Sequence, residues 1–281
     1  MIKSVLRFGD GIGERIWLRS VVKTIQVGLV NTGFNLEVDG RFGTGTRNAA
    51  KEFQFENELN PTGVFDKLSW KAIDKLLPQP DPEVVALLEK FRGDLNWVHQ
   101  QEGHNGRPYW PGGVSGITLD PGLDLGHASE ELIEKIYKPL LTDNQMRALR
   151  AVYGFKGNDA RDALNRSTTL KSIRISADQG AGLMHHTASP YWKGISRRFP
   201  GLTRQDTPAS VQTVLLSLAY NRGILNRHLA PLEQLLKVKK WAEVADKVGS
   251  MQQSHRLRGI RIRRRQEKLV ISAELEFMAQ R

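Results

Sequence analysis

An α+β fold that is mostly helical is predicted for this chain of 281 residues. Apolar residues recur at helical spacing through most of the sequence. Residues 104–127 differ, because glycine and proline separate short apolar pieces there, a pattern typical of turns and small strands. The segment Pro78-Gln-Pro-Asp-Pro82 favours extended backbone and divides the chain. We therefore expect a domain at residues 1–77, a linker at 78–82 and a second domain at 83–281.

The first domain is predicted to consist of three small helices. Gly33 is expected to end the first helix in a left-handed cap. Thr44 or Thr46 is expected to cap the second helix, and the segment 60–63 breaks the chain before a short third helix around Trp70. The apolar positions of the first helix are Leu18, Val21, Val22, Ile25 and Leu29.

The second domain is predicted to begin with one amphipathic helix from about Pro82 to Glu102. Further helices follow the glycine-rich segment. Their starts are marked by the capping-box patterns 142–145 and 176–179 and by the pair Thr207-Pro208, which places a cap before a first-turn proline. A basic helix is expected from about residue 254 to residue 276.

Composition excludes several classes of function. The chain has no cysteine, so thiolate metal sites, disulfides and cysteine nucleophiles are ruled out. No apolar run is long enough for a spanning helix, and the first ten residues lack the apolar core of a secretory signal. A protein made in the cytoplasm is expected.

The formal net charge is +11, and residues 1–85 contribute none of it, since they hold 11 basic and 11 acidic side chains. The basic remainder suggests nucleic acid, an anionic membrane or a bacterial wall as partner, although solubility alone also accounts for it.

Glu102 and the hairpin that follows it are the candidates for chemistry. A carboxyl group at the rim of a glycine-rich, aromatic-bearing loop can act as a general acid, although a lone glutamate at a helix end is usually a solvated surface residue. Thr118 and Asp124 lie six residues apart across a Pro-Gly turn, which can bring both to one cleft to hold and deprotonate a water molecule. Asp120 is interpreted as an ordinary turn residue.

Four segments in order resemble the phage-type lysozymes, with the hairpin closest to the pesticin-like branch. They are Glu102, the hairpin with Gly116-Ile-Thr118 and Gly122-Leu-Asp-Leu-Gly126, the stretch Ser217-Leu-Ala-Tyr-Asn-Arg-Gly223, and Gly259-Ile-Arg-Ile-Arg-Arg-Arg-Gln-Glu267. The resemblance spans residues 90–275. It implies a lysozyme-like domain with a small β-hairpin lobe and a muramidase that hydrolyses the β-1,4 bond between N-acetylmuramic acid and N-acetylglucosamine.

The same resemblance assigns roles to individual residues. Glu102 matches the catalytic acid, and Thr118 and Asp124 match the threonine and aspartate of the family. The threonine precedes the aspartate here, unlike the best-known phage lysozymes, so the role of Asp124 and the inverting or retaining outcome stay open. Arg263 and Arg264 match an arginine pair in the helix near the acid and are expected at the substrate site. The other substrate-binding candidates are Tyr109, Trp110 and Asn221.

The N-terminal segment resembles the three-helix peptidoglycan-binding domain. The resemblance covers residues 17–77 and depends on Val38-Asp-Gly-Arg-Phe-Gly-Thr-Gly-Thr-Arg-Asn-Ala-Ala-Lys-Glu-Phe-Gln54 and on Pro61-Thr-Gly-Val-Phe65. It implies wall binding without chemistry. The residues that carry the pattern are Asp39, Gly40, Phe42, Thr46 and Gln54, which can also be structural.

Alternative functions are weaker or remain open. The seven histidines form no recognisable zinc-ligand motif, and neighbouring His185 and His186 are interpreted as helix-face residues. No serine-hydrolase or phosphate-loop motif occurs. A lytic transglycosylase and a non-enzymatic wall-binding protein remain open.

The expected protein is a monomeric phage endolysin that needs no cofactor, binds peptidoglycan but not nucleic acid, and waits in the host cytoplasm until the inner membrane is opened. Its basic C-terminal helix is a candidate contact for an anionic wall or outer-membrane surface.

Overall fold

The computed structural model describes residues 1–280. Fourteen α-helices and one two-stranded antiparallel sheet form the described chain, so the predicted mostly helical α+β class is confirmed. The strands are β1 (Thr118–Leu119) and β2 (Leu123–Asp124). The helices α1 to α14 are, in order, Arg19–Asn31, Thr44–Glu56, Lys67–Ile73, Pro82–Leu87, Leu95–Glu102, Glu130–Tyr137, Asp143–Arg150, Gly157–Arg166, Thr168–Ser172, Ala177–Arg198, Ala209–Arg222, Leu232–Lys237, Trp241–Ser250 and Arg258–Ala279.

The chain forms two compact units. One consists of Met1–Trp97 and Tyr191–Arg281, and the other of Val98–Pro190. The first unit thus contains the predicted N-terminal domain and linker together with the C-terminal helices, and its boundaries fall within α5 and α10. The predicted limits at 77, 78–82 and 83 therefore stay a prediction. No helix within residues 1–280 is both long and apolar enough to cross a membrane.

An aromatic cluster forms part of the core of the first unit. The rings of Phe53 and Phe65 stack with centroids 6.0 Å apart, and Trp70 meets Phe65 edge-on at 5.6 Å. On the other side, the Trp70 ring lies 6.5 Å from that of Phe277 in α14. The indole N–H of Trp70 donates to the carbonyl oxygen of Ser4 at 2.7 Å. Phe277 of the last helix therefore packs in the same core as the aromatic residues of the N-terminal helices.

Gln26 organises the turn between α1 and α2. Its side-chain amide nitrogen donates to the carboxylate of Asp39 at 2.9 Å and to the hydroxyl of Thr46 at 3.0 Å, and its amide oxygen accepts from the backbone N–H of Gly40 at 2.7 Å. Gly40 has a φ of +76°, and a Cβ there would lie 2.4 Å from the Cγ of Arg19. The turn therefore requires glycine at this position.

Gln54 has the equivalent role in the turn before α3. Its amide nitrogen donates to the carbonyl oxygen of Val64 at 2.8 Å and to the hydroxyl of Ser69 at 2.9 Å, while its oxygen accepts from the N–H of Gly63 at 2.9 Å. Both glutamines are 1% exposed. Buried amides of this kind fix loop conformation, because every polar group finds a partner.

Local signals predicted several helix ends correctly. Gly33 follows α1 with a φ of +102°, and its N–H donates to the carbonyl oxygen of Val30 at 2.9 Å. The reciprocal hydrogen bonds of the capping box form at residues 142 and 145 and again at 176 and 179. Side-chain and backbone chemistry within four residues is sufficient for these ends.

Two threonine caps were predicted wrongly. Helix α2 begins at Thr44 after Gly43 without a side-chain cap, and Thr46 points inward to Gln26. Helix α11 begins at Ala209 without a side-chain cap, and the hydroxyl of Thr207 donates instead to the carbonyl oxygen of Gly201 at 2.8 Å.

The single helix predicted over residues 82–102 is also wrong, because the chain forms α4 and α5 with a break between them. Lys90 takes a left-handed φ of +62° in the break. The carboxylate of Asp94 then accepts from the N–H of Trp97 at 3.0 Å, which is the interaction of an N-terminal cap. The apolar residues continue at helical spacing through the break, and periodicity alone did not reveal it.

The second unit has its own core, to which the hairpin contributes. Ile117, Leu119, Leu123 and Leu125 are buried in it. The chain that follows the hairpin contributes Ile133, Ile136, Tyr137, Met146, Leu149, Val152, Ala160 and Leu170. One face of the hairpin is therefore fixed by apolar packing, which determines the register of such short strands.

The substitution Gln26→Ala should destabilise the N-terminal helices. It removes a buried amide and leaves the N–H of Gly40 and the carboxylate of Asp39 short of a partner, so we expect the free energy of unfolding to fall by about 2–4 kcal/mol. Urea denaturation followed by tryptophan fluorescence measures this loss. Gln205→Ala, on the exposed surface of the same unit, should change stability by less than about 0.5 kcal/mol. Equal effects of the two substitutions would contradict the role of Gln26.

Candidate active site in the hairpin unit

The hairpin brings three predicted residues onto one face. Thr118 lies directly opposite Asp124 in the β1–β2 pair. On its other side, Thr118 exchanges two backbone hydrogen bonds with Tyr109, of 3.0 and 2.8 Å. Side chains of directly opposed residues lie on the same side of a sheet. Tyr109, Thr118 and Asp124 therefore share one face of the hairpin.

Thr118 carries a buried hydroxyl without a partner. The residue is 4% exposed, and its Oγ1 has no hydrogen-bond partner within residues 1–280. A buried hydroxyl normally forms at least one hydrogen bond, since leaving it without one costs about 1–3 kcal/mol. Such a group is suited to hold a water molecule or a substrate atom.

Asp124 has a visible structural role in the hairpin. Its Oδ1 accepts from the backbone N–H of Gly116 at 2.9 Å and from that of Gly126 at 2.8 Å. A Cβ at position 116 would lie 2.5 Å from that oxygen and 2.3 Å from the nitrogen of Gly126. Both glycines are therefore needed for the carboxylate to clamp the two ends of the hairpin.

Glu102 is the last residue of α5 and is half-buried. Gly103 follows with a φ of +81°, so the chain turns sharply after the carboxyl group. This agrees with the predicted end of the helix.

Asp120 joins the end of α5 to the hairpin. Its Oδ2 lies 2.8 Å from Nε2 of His99 and 3.1 Å from Nδ1 of His104. His99 and His104 flank Glu102 along the chain, whereas Asp120 is two residues from Thr118. The helix end that carries Glu102 is therefore held against the turn that follows β1, the strand that carries Thr118.

The interpretation of Asp120 as an ordinary turn residue is wrong. The residue is 5% exposed, and the hydroxyl of Tyr137 donates to its carbonyl oxygen at 3.1 Å. Spacings of 5 and 16 residues between the three side chains match no familiar motif, which is why this cluster was missed. A local signal that could have indicated a buried carboxyl group is the Asp-Pro-Gly turn, placed between apolar residues that point into a core.

Trp110 follows Tyr109 in the chain and is half-buried, packed against the apolar core of the second unit. Its indole N–H donates to the carbonyl oxygen of Ser115 at 3.1 Å, and the guanidinium carbon of Arg161 lies 5.8 Å from the ring centroid. Together with Tyr109 it provides partly exposed aromatic surface in this unit. Their contact with a sugar remains a prediction.

Arg263 and Arg264 have a structural role in the first unit, which is at odds with direct substrate contact. They are 7% and 0% exposed, and both face Glu267, with N–O separations of 3.4 and 2.9 Å. Arg263 also donates to the hydroxyl of Ser217 at 2.9 Å. Burial raises the pKa of the Glu267 carboxyl group, while the two arginines lower it. Asn221 is exposed at the end of α11, and its Oδ1 accepts from Arg264 at 3.3 Å.

The predicted peptidoglycan-binding residues stabilise the turns of the N-terminal helices. Phe42, Thr46 and Gln54 are at most 4% exposed and offer little surface to a glycan. Asp39 is partly exposed, and although burial opposes it, hydrogen bonds from Gln26 and from the N–H of Arg41 lower its pKa. These residues, with Gly40, define the fold of the segment, and their contact with the wall stays a prediction.

A family model matches most of the segment that contains the N-terminal helices. Residues 19–73 match the model described as "Putative peptidoglycan binding domain". The N-terminal helices form a peptidoglycan-binding domain. The match lies inside the predicted residues 1–77 and accounts for about a fifth of the chain.

No curated protein matches the chain. Among solved structures, the chain is similar to the endolysin of Burkholderia AP3 phage, with 18% identity over 95% of this chain and 99% of that one and a TM-score of 0.22.

The substitution Glu267→Ala should be strongly destabilising. It leaves two buried guanidinium groups without their carboxylate, so we expect the free energy of unfolding to fall by about 3–5 kcal/mol. Chemical denaturation monitored by circular dichroism measures the loss. Glu276→Ala, which removes an exposed carboxylate from the same helix, should cost less than about 0.5 kcal/mol. A stable Glu267→Ala protein would contradict the structural role of the arginine pair.

Proposed function

We propose that this protein is a phage endolysin that hydrolyses the β-1,4 bond between N-acetylmuramic acid and N-acetylglucosamine. The peptidoglycan-binding domain supports the bacterial wall as its target. The observation that carries the muramidase assignment is the unpartnered hydroxyl of Thr118. It lies opposite Asp124, on a hairpin that His99 and His104 connect to the helix end bearing Glu102.

The proposed reaction uses residues of two elements, the end of α5 and the hairpin. Glu102 gives its proton to the leaving glycosidic oxygen as the bond to the anomeric carbon breaks. The Thr118 hydroxyl holds the attacking water, whose oxygen forms the new bond to the anomeric carbon. Asp124 lies beside that water, and its second carboxylate oxygen takes the proton that the water loses. Tyr109 and Trp110 are the proposed sugar contacts.

The proposed cellular role follows from the same assignment. The protein is made in the infected cell and acts on the wall once the inner membrane has been opened, leading to lysis of the host. Exposed arginines of α14, such as Arg258 and Arg265, supply a basic surface for anionic wall polymer or outer membrane. Added salt would weaken such an attraction.

The products of wall digestion test the reaction directly. Purified protein should release muropeptides with new reducing N-acetylmuramic acid ends, read by mass spectrometry after borohydride reduction. Anhydro ends, lighter by one water molecule, would instead identify a lytic transglycosylase. Reducing N-acetylglucosamine ends or free peptides would show that another bond is cut.

The substitution Glu102→Gln should abolish the activity. An amide keeps the shape of the side chain but cannot supply the proton, so we expect lysis of sacculi to fall by about 10²–10⁴-fold. Turbidity loss measures the rate, and sedimentation with intact sacculi should show unchanged wall binding. Glu131→Gln, at an exposed position of the same unit, should keep wild-type activity. Full lysis by Glu102→Gln would remove this residue from the mechanism.

Thr118 and Asp124 should respond differently to conservative substitution. Asp124→Asn retains an oxygen that can accept from Gly116 and Gly126, so the hairpin should stay folded and the loss of rate reports on the carboxylate charge. We expect Thr118→Ala to cost more than Asp124→Asn, because it removes the group proposed to hold the water. Initial rates on purified wall measure both effects. A larger loss for Asp124→Asn would make the aspartate the principal water-binding group.

A further inference from the structure

Three side chains of the second unit form a compact set of metal-ligand atoms. Nε2 of His99, Nδ1 of His104 and a carboxylate oxygen of Asp120 all lie within 4.8 Å of one another. The two nitrogens are 2.8 and 3.1 Å from the same oxygen. His99 and Asp120 are buried, whereas the side chain of His104 is 30% exposed.

The chemistry and spacing of this set suit zinc. Two imidazoles and one carboxylate are common protein ligands of zinc, which takes a tetrahedral arrangement. Zinc–ligand bonds of about 2.0–2.1 Å at tetrahedral angles separate neighbouring ligand atoms by about 3.3 Å. The two N–O separations are already close to that value. The exposed side of His104 provides an entry path and leaves a fourth position for water.

Gly180 in α10 makes room for the Asp120 carboxylate. A Cβ at this position would lie 1.5 Å from Oδ2 of Asp120 and 2.9 Å from Nε2 of His99. Two residues further along the same helix, a Cβ at Gly182 would meet nothing within 4 Å. Oδ2 of Asp120 therefore occupies the space that a side chain at position 180 would fill, and an alanine there would displace this ligand atom.

We infer that His99, His104 and Asp120 form a zinc-binding site. The ion joins three points of the second unit: the last turn of α5, the loop after Gly103 and the turn after β1. Two of its ligands flank Glu102, so the ion fixes the position of that residue relative to the hairpin. The hydroxyl of Tyr137, which donates to the backbone of Asp120, orients that ligand from outside the ligand shell. This site does not depend on the reaction proposed above.

Zinc binding by the full chain tests the inference. Protein stripped with a chelator should bind one equivalent of zinc in calorimetry and retain it through gel filtration, as measured by mass spectrometry of the metal. Gly180→Ala and His104→Ala should each weaken binding at least tenfold. Gly182→Ala is the matched control and should bind zinc as the wild type does.

Further controls separate this site from other histidines. His186→Ala and His228→Ala should keep the full zinc content, since neither residue belongs to the set. Circular dichroism checks folding, and His104→Ala, a change in a partly exposed loop, remains informative if Gly180→Ala fails to fold. Three results would overturn the inference: no stoichiometric zinc in the wild type, unchanged binding by His104→Ala, or loss of zinc in either histidine control.

Discussion

Asp120 is a buried carboxylate whose partners come from a different part of the chain. Burying a carboxyl group is costly unless it is hydrogen-bonded, and ring nitrogens of His99 and His104 lie 2.8 and 3.1 Å from its Oδ2. One histidine belongs to α5 and the other to the loop after it. Their contacts with the Asp120 carboxylate therefore determine where the end of α5 lies relative to the hairpin. Gly180 contributes by leaving space beside the same oxygen. The positions of Glu102 and Thr118 both depend on this contact.

The hairpin itself is too short to be stable by strand pairing. Strands of two residues supply few ladder hydrogen bonds, and isolated hairpins are marginal even when longer. Three other interactions compensate: apolar packing of its inner residues, the backbone bridge to Tyr109, and the Oδ1 of Asp124, which links Gly116 to Gly126. The backbone is fixed in this way without a hydrogen bond from the Thr118 hydroxyl, which has no partner within residues 1–280.

The sequence was informative wherever the cause was local. Gly33, the capping boxes and the Pro-Gly turn each act within a few residues, and each was predicted from its own segment. The break between α4 and α5 was missed because apolar spacing continues across it while Asp94 starts a new helix. Long-range pairing was missed because nothing near Asp120 indicates His99, and side-chain partners that are distant in sequence have no local signature. Arg263 and Arg264 instead pair with Glu267 at the local spacings i,i+4 and i,i+3 of one helix, but sequence spacing does not show that this cluster is buried.

The three carboxyl groups near the hairpin differ in their positions and contacts. Oδ2 of Asp120 contacts two histidines, and Oδ1 of Asp124 accepts hydrogen bonds from two backbone N–H groups. Glu102 ends a helix at a half-buried position, next to a glycine that turns the chain away. In the proposed reaction Glu102 gives a proton and Asp124 takes one. Asp124 can combine this with its structural role, because its Oδ1 accepts from the backbone N–H groups of Gly116 and Gly126 while its other carboxylate oxygen takes the proton.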